Sequence, residues 1–347
     1  MFLKIKIGIE KELKDYGRQM DKLYSLRQLS PLLFKSIKEF ILRPGKRIRP
    51  VLFCIGYLGF SPKAPPGLFR SALSLELLHD FMLVHDDIID KSDTRRGKPS
   101  LHALLNRYLL PAKKAKFNGE DLGIVAGDVM YSMALDAFLS VKEDARRKED
   151  TLRNLISAAL YTGSGEFIEL ILGTKPIEKV TQEDIYKIYD HKTANYTFAS
   201  PLSMGATLAG AKPEQVERLF SYGMLLGRAF QIKDDIIGVF GEEKDTGKSN
   251  LTDIKEAKRT LLIWHAFNHA DKKERLIIKR IMEGKSAKKT QLLKIRRIIV
   301  NTGALAYAEN QIKDLLSKAN AKLNGLRMNK KYKEALKEMG SELFFKK

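Results

Sequence analysis

Apolar residues recur at three- and four-residue intervals over Leu23–Ile41, Leu68–Asp90, Gly127–Val141, Thr151–Leu172, Gln182–Ala209, Pro213–Val239 and Leu261–Met282. That spacing puts an apolar stripe on one face of a helix. Clean two-residue alternation between tight turns, the mark of a half-buried strand, is hard to find. Prolines and glycines fall mostly between the periodic stretches. Pro176, after Gly173, ends one long helix, and Thr181 ahead of Glu183 and Asp184 starts the next. Gly241–Asp253 reads as a polar loop. With no repeat of solenoid period and no linker, the pattern predicts one all-α domain over residues 1–347.

The chain offers few other constraints of class. Its N-terminus is charged throughout and lacks a signal-peptide apolar run. The apolar stretch Leu73–Ile89 is interrupted by Glu76, His79, Asp80, His85, Asp86 and Asp87, whereas a membrane span needs about 20 mostly apolar residues. The expectation is a soluble, cytoplasmic protein. A lone cysteine, Cys54, excludes an internal disulfide and any zinc site needing two thiolates.

Candidate chemistry begins at His85-Asp86-Asp87-Ile88-Ile89-Asp90. Asp86 and Asp90, four apart, share a helix face and repel each other unless something offsets their charge. A divalent cation does so, and hard oxygen ligands without cysteine suit Mg²⁺ completed by water and phosphate. The alternative, a solvated acidic helix end, fits poorly with the apolar neighbours Phe81, Met82, Leu83, Val84, Ile88 and Ile89. A second pair, Asp234-Asp235, lies in Phe230–Gly238, with Gln231 on the same side. Two such pairs in apolar helices are costly as stability elements; facing one another across a bundle core they would cage several cations.

Basic residues cluster around the same motifs: Lys46 and Arg49, Arg95 and Arg96, Lys192, Lys248 and Lys258. Carboxylates interleaved with Lys and Arg point to a metal-bridged polyphosphate. Phosphate loops of the Gly-rich kind are absent, so side chains and metal would hold it.

Together these motifs resemble the trans-isoprenyl diphosphate synthases, or polyprenyl synthetases. The resemblance runs from about residue 42 to 260 through GKRIRP, LLHDFMLVHDDIIDKSDTRRGKPSLH, Gly127-Asp128, HKTA, GRAFQIKDDIIG and DTGKSNLTDIKEAKRT, in that order. It implies the isoprenoid synthase fold, an all-α bundle of ten or more helices around a deep central cavity, usually a homodimer. It implies Mg²⁺-dependent, head-to-tail condensation of isopentenyl diphosphate with an allylic diphosphate by ionisation, condensation and elimination. Asp86 and Asp90 then resemble the ligands of two Mg²⁺ ions and Asp234 the ligand of a third, with Asp87 and Asp235 in support. Arg95, Lys192, Lys248 and Lys258 resemble donors to the allylic diphosphate. Lys46, Arg49, His79 and Arg96 resemble the isopentenyl diphosphate pocket. Thr193 and Gln231 resemble the neutral groups facing the allylic cation. One position departs from the family pattern: Gly238 stands where the second motif usually ends in Asp, with Asp245, Glu242 and Glu243 as substitutes or Gly238 as a helix-end glycine.

Product length in this family follows the residues four and five before the first Asp, here Met82 and Phe81. One aromatic at the fifth position resembles synthases that stop near C20, so geranylgeranyl diphosphate is the expected product. Farnesyl diphosphate is the alternative, as is a non-catalytic partner subunit.

The formal net charge of +20 changes this picture little. Residues 271–347 hold 21 Lys and Arg against 8 Asp and Glu, away from the motifs. No nucleic-acid recognition module accompanies them. They read as solvated helical faces, or as a peripheral contact with anionic lipid.

Overall fold

The computed structural model describes residues 1–110, 115–241, 256–284 and 288–345. They form two compact units, one of residues 1–153 with 204–211, the other of residues 154–203 with 212–347. The fold is all-α, as expected.

The first unit begins with α1 (Phe2–Tyr24), which the charged N-terminus conceals from a reading for long apolar runs. Its buried residues Ile5, Ile9, Leu13, Tyr16 and Met20 keep a strict three-four spacing. The periodic stretch Leu23–Ile41 does not form one helix. Ser25 takes the left-handed conformation (φ 51°), Pro31 opens a new first turn, and the chain divides into α2 (Leu26–Leu29) and α3 (Pro31–Ile41). α4 (Ile48–Leu58) follows, an almost wholly buried helix.

α5 (Leu68–Ile89) carries the first aspartate motif. It starts at Gly67 (φ 83°), where a Cβ would collide with the Ser140 carbonyl. It ends as Lys91 turns left-handed (φ 53°) and the Ser92 N–H donates to the Asp87 carbonyl at 2.8 Å. A small antiparallel hairpin follows, β1 (Thr94–Arg95) and β2 (Lys98–Pro99), joined through Arg96 and Gly97, both at positive φ. α6 (Leu101–Leu109) leads to α7 (Gly119–Leu139), whose start is closed by a capping box between Asn118 and Asp121. α7 packs on α5 through glycines one turn apart. A Cβ at Gly123 would meet Ile88 Cδ1 at 3.0 Å, and one at Gly127 would meet His85 Nε2 at 2.5 Å.

α8 (Ala145–Thr174) enters the second unit at Asn154. The predicted helix Gln182–Ala209 is helical throughout, but its hydrogen-bond register changes on the way. α9 (Gln182–Ile188) passes into a π-helix (Tyr189–Ala199) and then α10 (Ser200–Leu208). Extended π-helix is rare and concentrates at functional sites. α11 (Pro213–Phe240) carries the second aspartate motif, and Gly238 sits in its last turn. The predicted stretch Leu261–Met282 breaks at Ala270-Asp271 into α12 (Leu261–His269) and α13 (Lys272–Met282), because Asp271 caps α13 by accepting the Glu274 N–H at 2.7 Å. The basic C-terminal part continues as α14 (Lys289–Asn301), α15 (Ala304–Asn324) and α16 (Lys330–Phe345).

Contrary to the sequence reading, two helices, α7 and α8, are long and apolar enough to cross a membrane by length and composition alone. Core helices pass that test too, and α7 buries Ala126, Met130, Ala134 and Phe138.

Glycine also seats the π-helix. A Cβ at Gly223 or Gly227 of α11 would collide with the Cα of Ala199 or Ala194, and one at Gly165 of α8 would lie 2.7 Å from the Lys192 backbone nitrogen. Gly227→Ala is therefore expected to destabilise the protein by about 1–3 kcal/mol through overpacking against backbone. Gly17→Ala, where a Cβ meets nothing within 4 Å, should be neutral or stabilising by up to about 1 kcal/mol. Urea denaturation of the two variants checks this, and equal midpoints would contradict it.

Candidate active site

The first motif occupies the last turns of α5, where the helix dipole already disfavours negative charge. Its two leading carboxylates differ sharply. The Asp86 side chain is 20% exposed, whereas that of Asp87 is fully buried. Arg95 on β1 reaches both. Its Nε donates to Asp87 Oδ1 at 2.7 Å and its Nη2 to Asp86 Oδ2 at 3.0 Å. Asp90 caps the helix, one turn beyond Asp86. Phe81 packs its ring against His85 (centroids 4.6 Å) and Tyr131 of α7 (5.3 Å). Met82 lies beside it, part-buried.

The GKRIRP segment shows which of its cations is architectural. Arg47 is among the most deeply buried side chains and takes a left-handed φ of 54°. It donates to Glu10 (2.8 Å), Glu76 (2.6 Å) and the Arg43 carbonyl (2.7 Å). Lys46, exposed, and Arg49, in the first turn of α4, flank it. Arg96 joins them: a Cβ on Gly45 would lie 3.2 Å from an Arg47 and 3.3 Å from an Arg96 guanidinium nitrogen. His79 belongs to this group electrostatically. Burial, followed by Arg49, Arg96, Arg95 and Arg47, holds its imidazole well below the ordinary value, so it is neutral at pH 7. Asp80 is fully buried, and neither carboxylate oxygen has a hydrogen-bond partner. Burial and nearby Glu76 push its carboxyl well above the usual range, against the opposing arginines.

In the second unit the site residues form a chain of hydrogen bonds. Thr193 Oγ1 on the π-helix donates to Gln231 Oε1 at 2.6 Å, and Gln231 Nε2 donates to Asp235 Oδ1 at 2.9 Å. The Tyr189 hydroxyl donates to Asp235 Oδ2 and accepts the Leu261 N–H at 2.9 Å. Burial, reinforced by Asp235, holds the Tyr189 phenol well above its ordinary value, so it remains a donor. Asp235 is buried and its neighbour Asp234 is exposed, the same inner–outer division as in the first motif. Lys192 lies 2.5 Å from both Glu166 and Glu169 of α8, and Lys258 lies 2.8 Å from Glu256.

The sequence reading missed Arg47, Glu76, Asp80, Glu166, Glu169 and Tyr189. Of these Arg47 and Asp80 lay inside motifs already singled out and Glu76 stood out as a charge in an apolar stretch, while Glu166, Glu169 and Tyr189 carry no local signal. Lys248, Asp245, Glu242 and Glu243 lie outside the described residues. Among the described residues no three His, Cys, Asp or Glu side chains form a protein-only metal cage. The carboxylates of Asp86 and Asp90 in the first unit, and of Asp234 in the second, are hard oxygen donors of the kind that suits a cation taking its remaining ligands from water and phosphate.

The profile of the polyprenyl synthetase family matches residues 30–300. The chain is 31% identical to a short chain isoprenyl diphosphate synthase of Methanocaldococcus jannaschii, over 78% of this chain and 74% of that one. It is 30% identical to the geranylgeranyl diphosphate synthase of Saccharolobus solfataricus over 88% of each, and 32% identical to the geranylfarnesyl diphosphate synthase of Aeropyrum pernix over 79% and 81%. Among solved structures, a geranylgeranyl pyrophosphate synthase of Corynebacterium glutamicum, complexed with isoprenyl diphosphate and magnesium, matches with a TM-score of 0.90 at 28% identity, covering 99% of both chains. The fold is that of an isoprenoid synthase. The chain belongs to the polyprenyl synthetase family and is a short-chain prenyltransferase.

Two outcomes follow from the electrostatics. Arg95→Met leaves Asp87 buried without its cation, and unfolding by urea should show a loss of about 3–5 kcal/mol; a loss below about 1 kcal/mol would mean Asp87 does not depend on Arg95. His79 is depressed in the folded state, so the unfolded chain binds the extra proton below its ordinary pKa of about 6.5, and stability falls as pH drops through that value. Asp80, raised in the folded state, acts in the opposite sense, so the comparison must isolate His79. His79→Gln should therefore lose less stability than wild type between pH 7 and 5, and parallel curves would refute the assignment.

Proposed function

We propose that this prenyltransferase condenses isopentenyl diphosphate with allylic diphosphates, head to tail, and stops at geranylgeranyl diphosphate. The observation that carries the reading is the repeated pairing of an outer, accessible aspartate with an inner, buried one, Asp86 with Asp87 and Asp234 with Asp235. A buried carboxylate tied to arginine, tyrosine or glutamine is a fixed support, and the outer one is a ligand. Asp86, Asp90 and Asp234 would hold Mg²⁺, three ions in all. When bound, Mg²⁺ supplies charge neutralisation to the diphosphate leaving group.

The chain's own residues do the rest. Arg95, Lys192 and Lys258, with Lys248, donate to the allylic diphosphate and stabilise charge that grows as its C–O bond breaks. Lys46, Arg49, Arg96 and neutral His79 bind isopentenyl diphosphate. The Thr193 and Gln231 dipoles face the allylic cation without trapping it, and apolar walls exclude water. The departing diphosphate takes the proton released after condensation, so no separate strong base is required.

Phe81 supports the C20 assignment. It stands about a turn before Asp86 and is braced by His85 and Tyr131, while Met82 beside it is unbranched and yielding. A second aromatic there would favour farnesyl diphosphate instead. Retention of both aspartate pairs separates the chain from a non-catalytic partner subunit.

We place the enzyme in the cytoplasm as a homodimer. Ile156, Leu160, Phe167 and Ile171 make a stripe of exposed apolar side chains along α8, a surface suited to a second copy. The basic C-terminal helices suit a peripheral contact with anionic lipid, where an amphiphilic product is delivered.

The test is incubation of the purified protein with labelled isopentenyl diphosphate, each allylic primer in turn and Mg²⁺, followed by chromatography of the hydrolysed products. A C20 product is expected, and no elongation with any primer would overturn the assignment. Asp86→Ala should abolish turnover with the helical signal intact. Phe81→Ala should lengthen the product, and an unchanged longest product would remove Phe81 from the cavity floor.

A further inference from the structure

We infer that Tyr189 is a positioning residue for the allylic-diphosphate half of the reaction, its hydroxyl locking three separate segments into one geometry. This rests on the prenyl-transfer reading above. The Tyr189 side chain is buried at the first position of the π-helix, and its oxygen makes two bonds of opposite sense. It donates to Asp235 Oδ2 on α11 and accepts the N–H of Leu261, the first residue of α12.

Each bonded segment carries a residue assigned to substrate. The π-helix holds Lys192 and Thr193, three and four residues beyond Tyr189. α11 holds Gln231, which bonds both Thr193 and Asp235, and Asp234, next to Asp235. The strand of chain entering α12 holds Lys258, three residues before Leu261. That strand is fixed on its other side by Arg259, which donates to the Gly173 and Lys175 carbonyls at 3.2 and 3.0 Å. The Tyr189 hydroxyl is thus where the π-helix, the second aspartate motif and the Lys258 segment meet.

The wide π-turn explains why a tyrosine can do this. A π-turn closes from i to i+5 rather than i to i+4, which rotates successive side chains away from α-helical positions. Tyr189 and Thr193 both reach α11 from it, at Asp235 and Gln231, themselves one turn apart. Removing the hydroxyl leaves a buried carboxylate oxygen without this donor and a helix-start N–H without this acceptor. Asp235 then keeps its bond from Gln231 but is held less firmly, and adjacent Asp234 loses part of its backing.

Tyr189→Phe tests this against Tyr222→Phe, a matched control. Tyr222 is buried in the same unit, and its hydroxyl donates to the Leu336 carbonyl at 3.0 Å, away from the motif. Both variants lose one buried hydroxyl, so both should melt below wild type. Only Tyr189→Phe should lower kcat, by roughly 10- to 100-fold as for other residues that orient metal ligands. It should also raise the half-saturating Mg²⁺ concentration, while KM for isopentenyl diphosphate stays unchanged. A second readout is independent of turnover: the upward shift in melting temperature on adding Mg²⁺ with inorganic diphosphate should shrink in Tyr189→Phe and persist in Tyr222→Phe. If Tyr189→Phe fails to fold, Asp235→Asn, which preserves shape and alters the same hydrogen bond, must reproduce the weakened Mg²⁺–diphosphate shift. A wild-type Mg²⁺ dependence and melting shift in Tyr189→Phe, or equal changes in both tyrosine variants, would overturn the inference. A wild-type protein that neither elongates a primer nor responds to Mg²⁺ and diphosphate would instead overturn the function on which it rests.

Discussion

A buried carboxylate must be compensated, and much of this protein's local architecture answers that requirement twice. Taking an ionised group out of water costs several kcal/mol unless hydrogen bonds or an opposite charge replace the lost hydration. Asp87 and Asp235 are both buried, and the two units solve the problem differently. In the first, a two-residue turn at positive φ returns the chain so that Arg95 lies over Asp87 and Asp86. In the second, neutral donors serve, the Tyr189 hydroxyl and the Gln231 amide. A charged guanidinium lies over the first pair, whereas a phenol and an amide hold the inner carboxylate of the second.

The braces work because glycines let neighbouring helices come close, onto side chains in the first unit and onto backbone in the second. Gly123 and Gly127 bring α7 against the end of α5, and Gly223 and Gly227 bring α11 against the π-helix. Each pair is spaced four residues apart, one turn, so each makes a continuous flat strip. A side chain on the Gly223–Gly227 strip would meet backbone and push the helices apart by about a methyl group, enough to break bonds of 2.6–2.9 Å such as Thr193 to Gln231 to Asp235. Gly165 adds a similar approach from α8, beside the two glutamates that grip Lys192. The site is therefore built from rigid helix surfaces, as precise placement of charge demands.

Much of this was legible in the chain. Every predicted stretch is helical, although Ser25 and Asp271 broke two of them by local backbone chemistry rather than by loss of apolar spacing, and Gln182–Ala209 changes to a π-helix over Tyr189–Ala199. Both aspartate pairs stood out because charged residues inside apolar helices violate the pattern around them. Arg95 and Arg96 were found by proximity to the motif. Tyr189, Glu166, Glu169 and Asp80 were not, since each earns its role from a partner distant in sequence or from burial alone. Tyr189 and Asp235 are 46 residues apart, and nothing in either local pattern announces the pair. The same holds for Arg47, whose partners Glu10 and Glu76 come from α1 and α5.

The sequence by itself determined the class of fold, the two motifs and the chemistry they imply, because helical periodicity and the cost of charge among apolar residues are properties of short segments. Tertiary structure decided which aspartate of each pair faces outward, which arginine is structural, and how the Lys192 helix is wound. Those choices depend on which atoms of distant segments meet, and on the few ångströms that a glycine or a π-turn concedes.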